Sequence, residues 1–326
     1  MTDDARGPDT NDRDRDRDRD EPPDLSVLDR YRPLVDDFAA FRGACARPLG
    51  YTVRVNPLKT SVERVRRAYD ERGVEHEPVV WHDRLLRVAT DSPGASWPYV
   101  HGWVYPQEEV SALPVLALDP QPGETVLDTC AAPGSKTTQI AAAMDDRGTL
   151  VANDRSLGRL APLRSNAQRL GVTNVIVTNR DARNLSTRPL AVDAVDRTLV
   201  DAPCTCEGTV RKNPDALVEW SEEYLHSVAD LQRDVLDRAV AATREGGTVV
   251  YGTCTFAPEE NEAVVDHALS RGDCRLVDVD LPLETDPGVR EWRGESFDPA
   301  VERCARVYPH RNDTGGFFCA KLEVTG

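Results

Sequence analysis

Thr125-Val-Leu-Asp-Thr-Cys-Ala-Ala-Pro-Gly-Ser-Lys136 passes from a β-branched apolar run into a loop of small residues and then into a helical pattern. Thr125–Thr129 predicts a strand, residues 130–136 a tight loop with a single glycine, Gly134, and Thr137–Met144 a helix. Downstream, the same alternation repeats. Leu150–Asn153 reads as strand, Gly158–Leu170 as helix closed by Gly171, and Val175–Thr178 as strand. Ala194–Val200 reads as strand, Glu222–Arg244 as a long helix, and Thr248–Gly252 as strand. Strands alternating with helices of this length predict an α/β fold with a doubly wound parallel sheet.

Upstream of this alternation the pattern differs. Leu25–Cys45 reads as helix, and Thr52–Asn56 as a short strand stopped by Pro57. Thr60 and Glu63 have capping-box spacing ahead of the stripe Val62, Val65, Ala68 and Tyr69, and Gly73 closes that helix. Val79–Trp81 and Leu85–Val88 are strand candidates, and Pro93, Gly94, Pro98 and Gly102 punctuate the link that follows. Residues 1–24 are polar, with alternating Asp and Arg from Asp12 to Asp20. The expected organisation is a disordered tail over 1–24, a small α+β module over 25–100 and a catalytic domain over 101–326.

Net charge is −16 and the pI about 4.9, which alone argues against a phosphate-rich partner. Yet only four of the 40 basic residues are lysine: Lys59, Lys136, Lys212 and Lys321. An acidic chain nearly stripped of lysine reads as a protein of a high-salt cytoplasm, where acidity serves solubility. Local charge at the site is then the better guide to the partner. No apolar run approaches the ~18 residues of a membrane span, and the first residues lack the apolar stretch of a signal peptide. No membrane partner and a cytoplasmic location are expected. None of the eight cysteines forms a C-x-x-C pair. Cys204 and Cys206 form a C-x-C without a histidine at ligand spacing, so no metal is expected. Cys45, Cys274, Cys304 and Cys319 read as small buried residues.

Ligands of such sheets bind beyond the carboxyl ends of the strands. Those ends carry Asp128 with the loop Cys130, Ala131, Ala132, Pro133, Gly134, Ser135 and Lys136, then Asp154, Asp181, Asp201 and Cys254. Any single acid here could be a helix N-cap. Three acids at successive strand ends suit a nucleoside cofactor without phosphates, such as S-adenosylmethionine: Asp154 for the ribose hydroxyls, Asp181 for the adenine amine. A nicotinamide cofactor stays open but is disfavoured, because the loop lacks the second and third glycines of G-x-G-x-x-G.

Two strand ends also carry thiols, in Asp201-Ala-Pro-Cys204 and Tyr251-Gly-Thr-Cys-Thr255. Carbon 5 of cytosine is a poor nucleophile. A thiolate adding to carbon 6 makes the ring enamine-like, so that carbon 5 can attack a methyl sulfonium. An acid such as Asp201 would assist the addition at N3 or the exocyclic amine, and Lys136 would favour the thiolate. The sequence does not say which cysteine adds.

At these residues the chain resembles the RNA 5-methylcytosine methyltransferase family, also called Sun or Fmu. The matching stretches are Arg54-Val-Asn-Pro-Leu-Lys59, Pro106-Gln-Glu-Glu-Val-Ser111, Val126-Leu-Asp-Thr-Cys-Ala-Ala-Pro-Gly-Ser-Lys-Thr-Thr138, Asp201-Ala-Pro-Cys204, Tyr251-Gly-Thr-Cys-Thr255 and Thr314-Gly-Gly-Phe-Phe318. The resemblance implies a Rossmann-like S-adenosylmethionine-dependent catalytic domain after a small RNA-recognition-like module. It implies Cys254 as nucleophile and Cys204 as the residue that helps release the product. It assigns the cofactor to the Cys130–Lys136 loop, Asp154, Arg159, Asp181 and Asp201. Arg211-Lys-Asn-Pro214 follows the first cysteine and is an expected RNA contact; the basic candidates on the N-terminal module are Arg54, Lys59, Arg64, Arg66 and Arg67, at least half of which read instead as a solvated helix face. Thr205 and the extra thiol Cys206 depart from the family, which often has serine after Pro-Cys. The expected partner is RNA, with tRNA ahead of rRNA, and the expected state a monomer. A catalytically silent RNA-binding assembly factor is the alternative, opposed by retention of both cysteines and all the acids.

Overall fold

The computed structural model describes residues 24–90, 92–186 and 195–326. The expected tail up to residue 23, and Ala194 at the head of an expected strand, lie outside the described residues. The first sheet is built from β1 (Tyr51–Val55), β2 (His76–Pro78), β3 (Leu85–Val88) and β4 (Val104–Pro106), all antiparallel in the order β2-β3-β1-β4. The helix Val62–Asp70 lays Val65 and Tyr69 against Val53, Val55, Leu86, Val88 and Val104.

Local details differ from the sequence expectations. The helix cap is Ser61, whose hydroxyl accepts from Arg64 N at 3.4 Å, one residue beyond the expected Thr60. The expected strand Val79–Trp81 is a turn, with His82 N donating to Val79 O at 3.2 Å, and the strand precedes it at His76–Pro78. Val79 turns inward against Leu85 and Ala112, so its hydrophobicity serves the hairpin end. β4 carries the small sheet to Pro106, past the expected division at residue 100.

The expected helix Leu25–Cys45 is broken. Residues Ser26–Leu34 form a 3₁₀ segment and Phe38–Cys45 an α-helix. Pro33 supplies no backbone N–H, and Asp37 restarts the helix by accepting from Ala40 N at 2.9 Å. Leu28, Tyr31 and Phe41 pack in the core of the larger body; Phe41 lies 5.0 Å from Phe256, ring to ring.

That body holds a nine-stranded sheet. In chain order its strands are β5 (Thr125–Asp128), β6 (Thr149–Asn153), β7 (Val175–Thr178), β8 (Val195–Asp201), β9 (Thr243–Thr253), β10 (Cys274–Val277) and β11 (Asp286–Pro287). After a separate hairpin, β12 (Glu291–Trp292) and β13 (Glu295–Ser296), come β14 (Ala305–Val307) and β15 (Phe317–Val324). The order is β11-β14-β15-β9-β8-β5-β6-β7, with β10 also on β15. From β9 to β7 all neighbours are parallel, as expected. Beyond β9 the sheet is antiparallel, because the chain returns along β9 as β15. The sheet is therefore mixed: the expected parallel strands form one half, and an antiparallel set extends it beyond β9. The long helix ends at Ala242, and β9 begins at Thr243 without a loop.

Candidate active site

β5 ends at Asp128, and the loop to the helix Ser135–Ala143 turns on Gly134, at φ 105°. A Cβ there would also stand 2.9 Å from Leu163 Cδ1 of the helix Leu157–Leu170, so only glycine seats the loop this closely. Asp154, at the end of β6, lies buried under the loop. It accepts from Ala132 N at 3.3 Å and Ser156 N at 2.8 Å, and Arg159 stands 3.4 Å from it. Arg159 also donates to Ala132 O, so acid and arginine together clamp the loop. Asp181 follows β7, which ends at Thr178. It caps the short segment Ala182–Asn184 and pairs with Arg183 at 2.6 Å, whose hydrogen bond holds its carboxyl below the usual range.

β8 and β9 run side by side with Asp201 opposite Gly252. The residues just beyond them, Cys204 and Cys254, therefore meet: their sulfurs are 3.2 Å apart. Gly208 locks the arrangement. Its N–H donates to Cys254 O at 2.9 Å, its carbonyl accepts from Gly316 N at 2.8 Å, and an added Cβ would stand 2.6 Å from Gly316 O. Lys136 reaches across from the cofactor loop to Asp201 at 2.7 Å and to Ser111 Oγ at 3.2 Å. Burial alone would lower the Lys136 ammonium pKa, but Asp201 outweighs it, so the lysine stays charged beside the thiols. Cys206 adds a third sulfur, 3.6 Å from Cys204 Sγ. Hydrogen bonds from Cys204, then Cys254, pull the Cys206 thiol down to about 3, while donation to Cys206 and Cys254 pushes Cys204 up. For Cys254, a hydrogen bond from Cys204 acts downward, but its bond to Cys206 and its burial win and raise it.

Behind the thiols lies a buried acid network that sequence reasoning missed. The Thr205 hydroxyl contacts both Glu207 and Glu260, and Thr205 N donates to Glu260 at 3.1 Å. Gln232 bridges Glu260 at 2.8 Å to Pro203 O at 2.6 Å, and Tyr31 and Trp220 donate to Glu207. Burial, then repulsion from Glu207, pushes Glu260 up to about 8. A hydroxyl has one proton, so neutral Glu260 donates to Thr205 and Thr205 donates to Glu207. The available signal was the run Glu259-Glu-Asn-Glu262, placed between Phe256-Ala257 and Val264-Val265.

These elements enclose a cavity of about 560 Å³. It is lined by Cys130, Ala132, Pro133, Ser135, Lys136, Arg159, Asp201, Cys204, Cys206, Lys212 and Cys254, among others. Ala131 and Gly134 complete the loop as buried residues. Two expected RNA contacts are instead structural. Arg54 is buried between the two sheets, donating to Gln107 at 2.7 Å and Thr138 at 2.8 Å. Arg211 is buried against Arg47 O at 2.9 Å, Thr314 O at 3.0 Å and Asp313 at 2.7 Å. Lys59 donates to Arg169 O at 2.7 Å, closing the end of the helix Leu157–Leu170. Lys212 is exposed at the cavity mouth, and Arg64, Arg66 and Arg67 are exposed on their helix.

A family model described as 16S rRNA methyltransferase RsmB/F matches residues 115–323. The chain belongs to this family of RNA cytosine-C5 methyltransferases. A tRNA (cytosine(49)-C(5))-methyltransferase of Pyrococcus abyssi is 36% identical over 300 residues, covering 91% of this chain and 95% of that protein. Ribosomal RNA small subunit methyltransferase F of Escherichia coli is 40% identical over 311 residues, covering 92% of this chain but 62% of that protein. The chain thus spans about three fifths of the bacterial relatives it matches. The solved structure of a methyltransferase homologue from Pyrococcus horikoshii superposes with a TM-score of 0.79 at 31% identity, over 91% of this chain and 94% of that one. The family's cofactor is S-adenosylmethionine.

The residues present fit that cofactor. Asp128 Oδ1 is buried at the end of β5 without a hydrogen-bond partner among the described residues, while Oδ2 accepts from Thr137 at 2.7 Å. Burial pushes this carboxyl up to about 7. An amino group delivered by a ligand would satisfy the orphan oxygen and favour its charged form. Among the described residues, no helix is long and apolar enough to cross a membrane.

Proposed function

We propose that this chain methylates carbon 5 of cytosine in tRNA through a covalent bond between Cys254 and carbon 6 of the base. The observation that carries the reading is the pair of sulfurs 3.2 Å apart at two parallel strand ends, beside the Lys136–Asp201 ion pair. When bound, S-adenosylmethionine supplies an electrophilic methyl group. The chain's own residues do the rest. The loop 130–136, with Asp154 and Arg159 beneath it, orients the cofactor. Asp201, fixed by Lys136, meets the exocyclic amine or N3 of the base and favours addition of the Cys254 sulfur. After methyl transfer the proton at carbon 5 passes to a base in the crevice, for which Cys204 is placed, and the freed electron pair restores the carbon 5–carbon 6 double bond as Cys254 departs as a thiolate. A cytosine in a stem must be flipped out to reach this crevice. Lys212 at its mouth provides positive charge for the RNA backbone.

The choice of tRNA rests on the near end-to-end match with the archaeal tRNA enzyme. The same chemistry on rRNA is the second reading, favoured by the bacterial relatives. Incubating the protein with methyl-labelled S-adenosylmethionine and separated tRNA and rRNA at high salt, then mapping 5-methylcytosine, tests both. Label in rRNA alone overturns the tRNA reading. Absence of label from every RNA, with folded protein, overturns the activity.

A further inference from the structure

Cys206 is a thiol in the crevice to which the reaction gives no task. It adopts the left-handed region, at φ 64°, which is unfavourable for any residue with a Cβ. That backbone aims its sulfur at the other two. Cys206 Sγ is 3.6 Å from Cys204 Sγ, Cys204 Sγ is 3.2 Å from Cys254 Sγ, and all three lie within 4.8 Å of one another. Among the described residues, no other group of three histidine, cysteine or acidic side chains converges this way. The sequence expectation of no metal rested on a C-x-C lacking a partner at ligand spacing. The third ligand comes from a neighbouring strand 50 residues on.

The spacing suits a soft cation. With metal–sulfur bonds of about 2.3 Å, three thiolates on one tetrahedral ion stand roughly 3.8 Å apart, slightly wider than the 3.2 and 3.6 Å seen here and inside the 4.8 Å that bounds all three. Small side-chain rotations complete the set. The sulfurs line the cavity, so a fourth position opens into it. Lys136, a cation of the crevice, is already paired with Asp201 at 2.7 Å. An all-sulfur donor set selects Zn²⁺ or Cu⁺ over Mg²⁺ and Ca²⁺.

We propose that Cys204, Cys206 and Cys254 form a site for one thiophilic cation of the Zn²⁺ class, whose occupation holds the nucleophile out of reaction. The binding stands on the sulfur geometry alone; the inhibition rests on the reading of Cys254 as nucleophile. Binding displaces the thiol protons, so affinity rises with pH.

The full chain is stripped with chelator, kept in a non-thiol reductant and titrated with Co²⁺, then Zn²⁺. One equivalent of Co²⁺ is expected to give a sulfur-to-metal charge-transfer band with tetrahedral ligand-field bands, both erased by Zn²⁺. Cys206→Gly suits the left-handed backbone; it should lose the bands and weaken Zn²⁺ binding by at least about ten-fold in competition with a chromophoric chelator. One equivalent of Zn²⁺ should suppress methyl transfer by the wild type, reversibly by chelator, with little effect on Cys206→Gly. Absence of a thiolate band in the wild type, or equal Zn²⁺ affinity in Cys206→Gly, overturns the site. Intact bands with no methyl transfer to any RNA would overturn the enzymatic reading and leave the site standing.

Discussion

Replacing Glu260 by glutamine should change how stability depends on pH. Glu260 is fully buried, and its carboxyl is pushed from the ordinary 4.5 to about 8, first by burial and then by Glu207. The native state therefore holds a proton on this group between pH 4.5 and about 8, where the unfolded chain has released it. Because the folded state binds more protons, stability falls as pH rises through that window and levels off above it. Each pH unit costs about 1.4 kcal/mol for one such group, so raising the pH from 6 to 8 removes about 2 kcal/mol. Asp128, raised from 3.8 to about 7, adds a slope of the same sign at lower pH. Glutamine keeps the donor to Thr205 and titrates nowhere in this range. Urea unfolding of wild type and Glu260→Gln from pH 5 to 9, at fixed salt, should show the variant gaining on the wild type by about 2 kcal/mol between pH 6 and 8. Parallel profiles for the two proteins would refute the protonated Glu260 and the proton order drawn through Thr205.

Three further outcomes follow from the same geometry. Cys204→Ala should accumulate a covalent protein–RNA species with S-adenosylmethionine, seen as a denaturant-resistant gel shift, whereas Cys254→Ala should form none; an adduct in Cys254→Ala would reverse the two roles. Arg54→Ala should destabilise the protein by about 2–4 kcal/mol in chemical unfolding, since it strips a charged donor from buried acceptors, while RNA affinity of the folded protein is unchanged; lost affinity at unaltered stability would restore Arg54 as an RNA contact. Lys212→Ala should weaken binding across RNA sequences and reduce the slope of log affinity against log salt by about 1, and an unaltered slope would remove it from the phosphate path.

Much of the fold was legible because β5, β6 and β7, and the second halves of β8 and β9, are short apolar runs closed by polar or small residues. β15 was not, because its first half, Phe317–Ala320, is buried on both faces and shows no alternation. Nor does local sequence encode its direction; the antiparallel return depends on the path taken after β9. At the site, the thiol pair and the cofactor loop were visible as motifs at strand ends. The arginines were misread, since partners distant in sequence decide whether an arginine is buried. Arg54 is claimed by Gln107 and Thr138, Arg211 by Arg47 and Thr314. Asp181 is engaged locally: Arg183, two residues on, donates to it, as in ordinary capping.

The acid network gives the thiol crevice a foundation that no motif announces. Thr205 lies between Cys204 and Cys206, and both its N–H and its hydroxyl are spent on Glu260 and Glu207. Gln232, from the long helix, ties the same Glu260 to the carbonyl of Pro203 on the other side of Cys204. The cysteine is thus gripped through its neighbours in sequence, which leaves its sulfur to face Cys254. Alanine at position 205 would strip the neutral Glu260 carboxyl and Glu207 of their shared hydroxyl, and a buried polar group left unmet costs more than one lost hydrogen bond. Serine keeps the hydroxyl and loses only a methyl group. The network therefore demands a hydroxyl after Pro-Cys and accepts either residue that carries one, which explains why threonine can stand where the family often has serine.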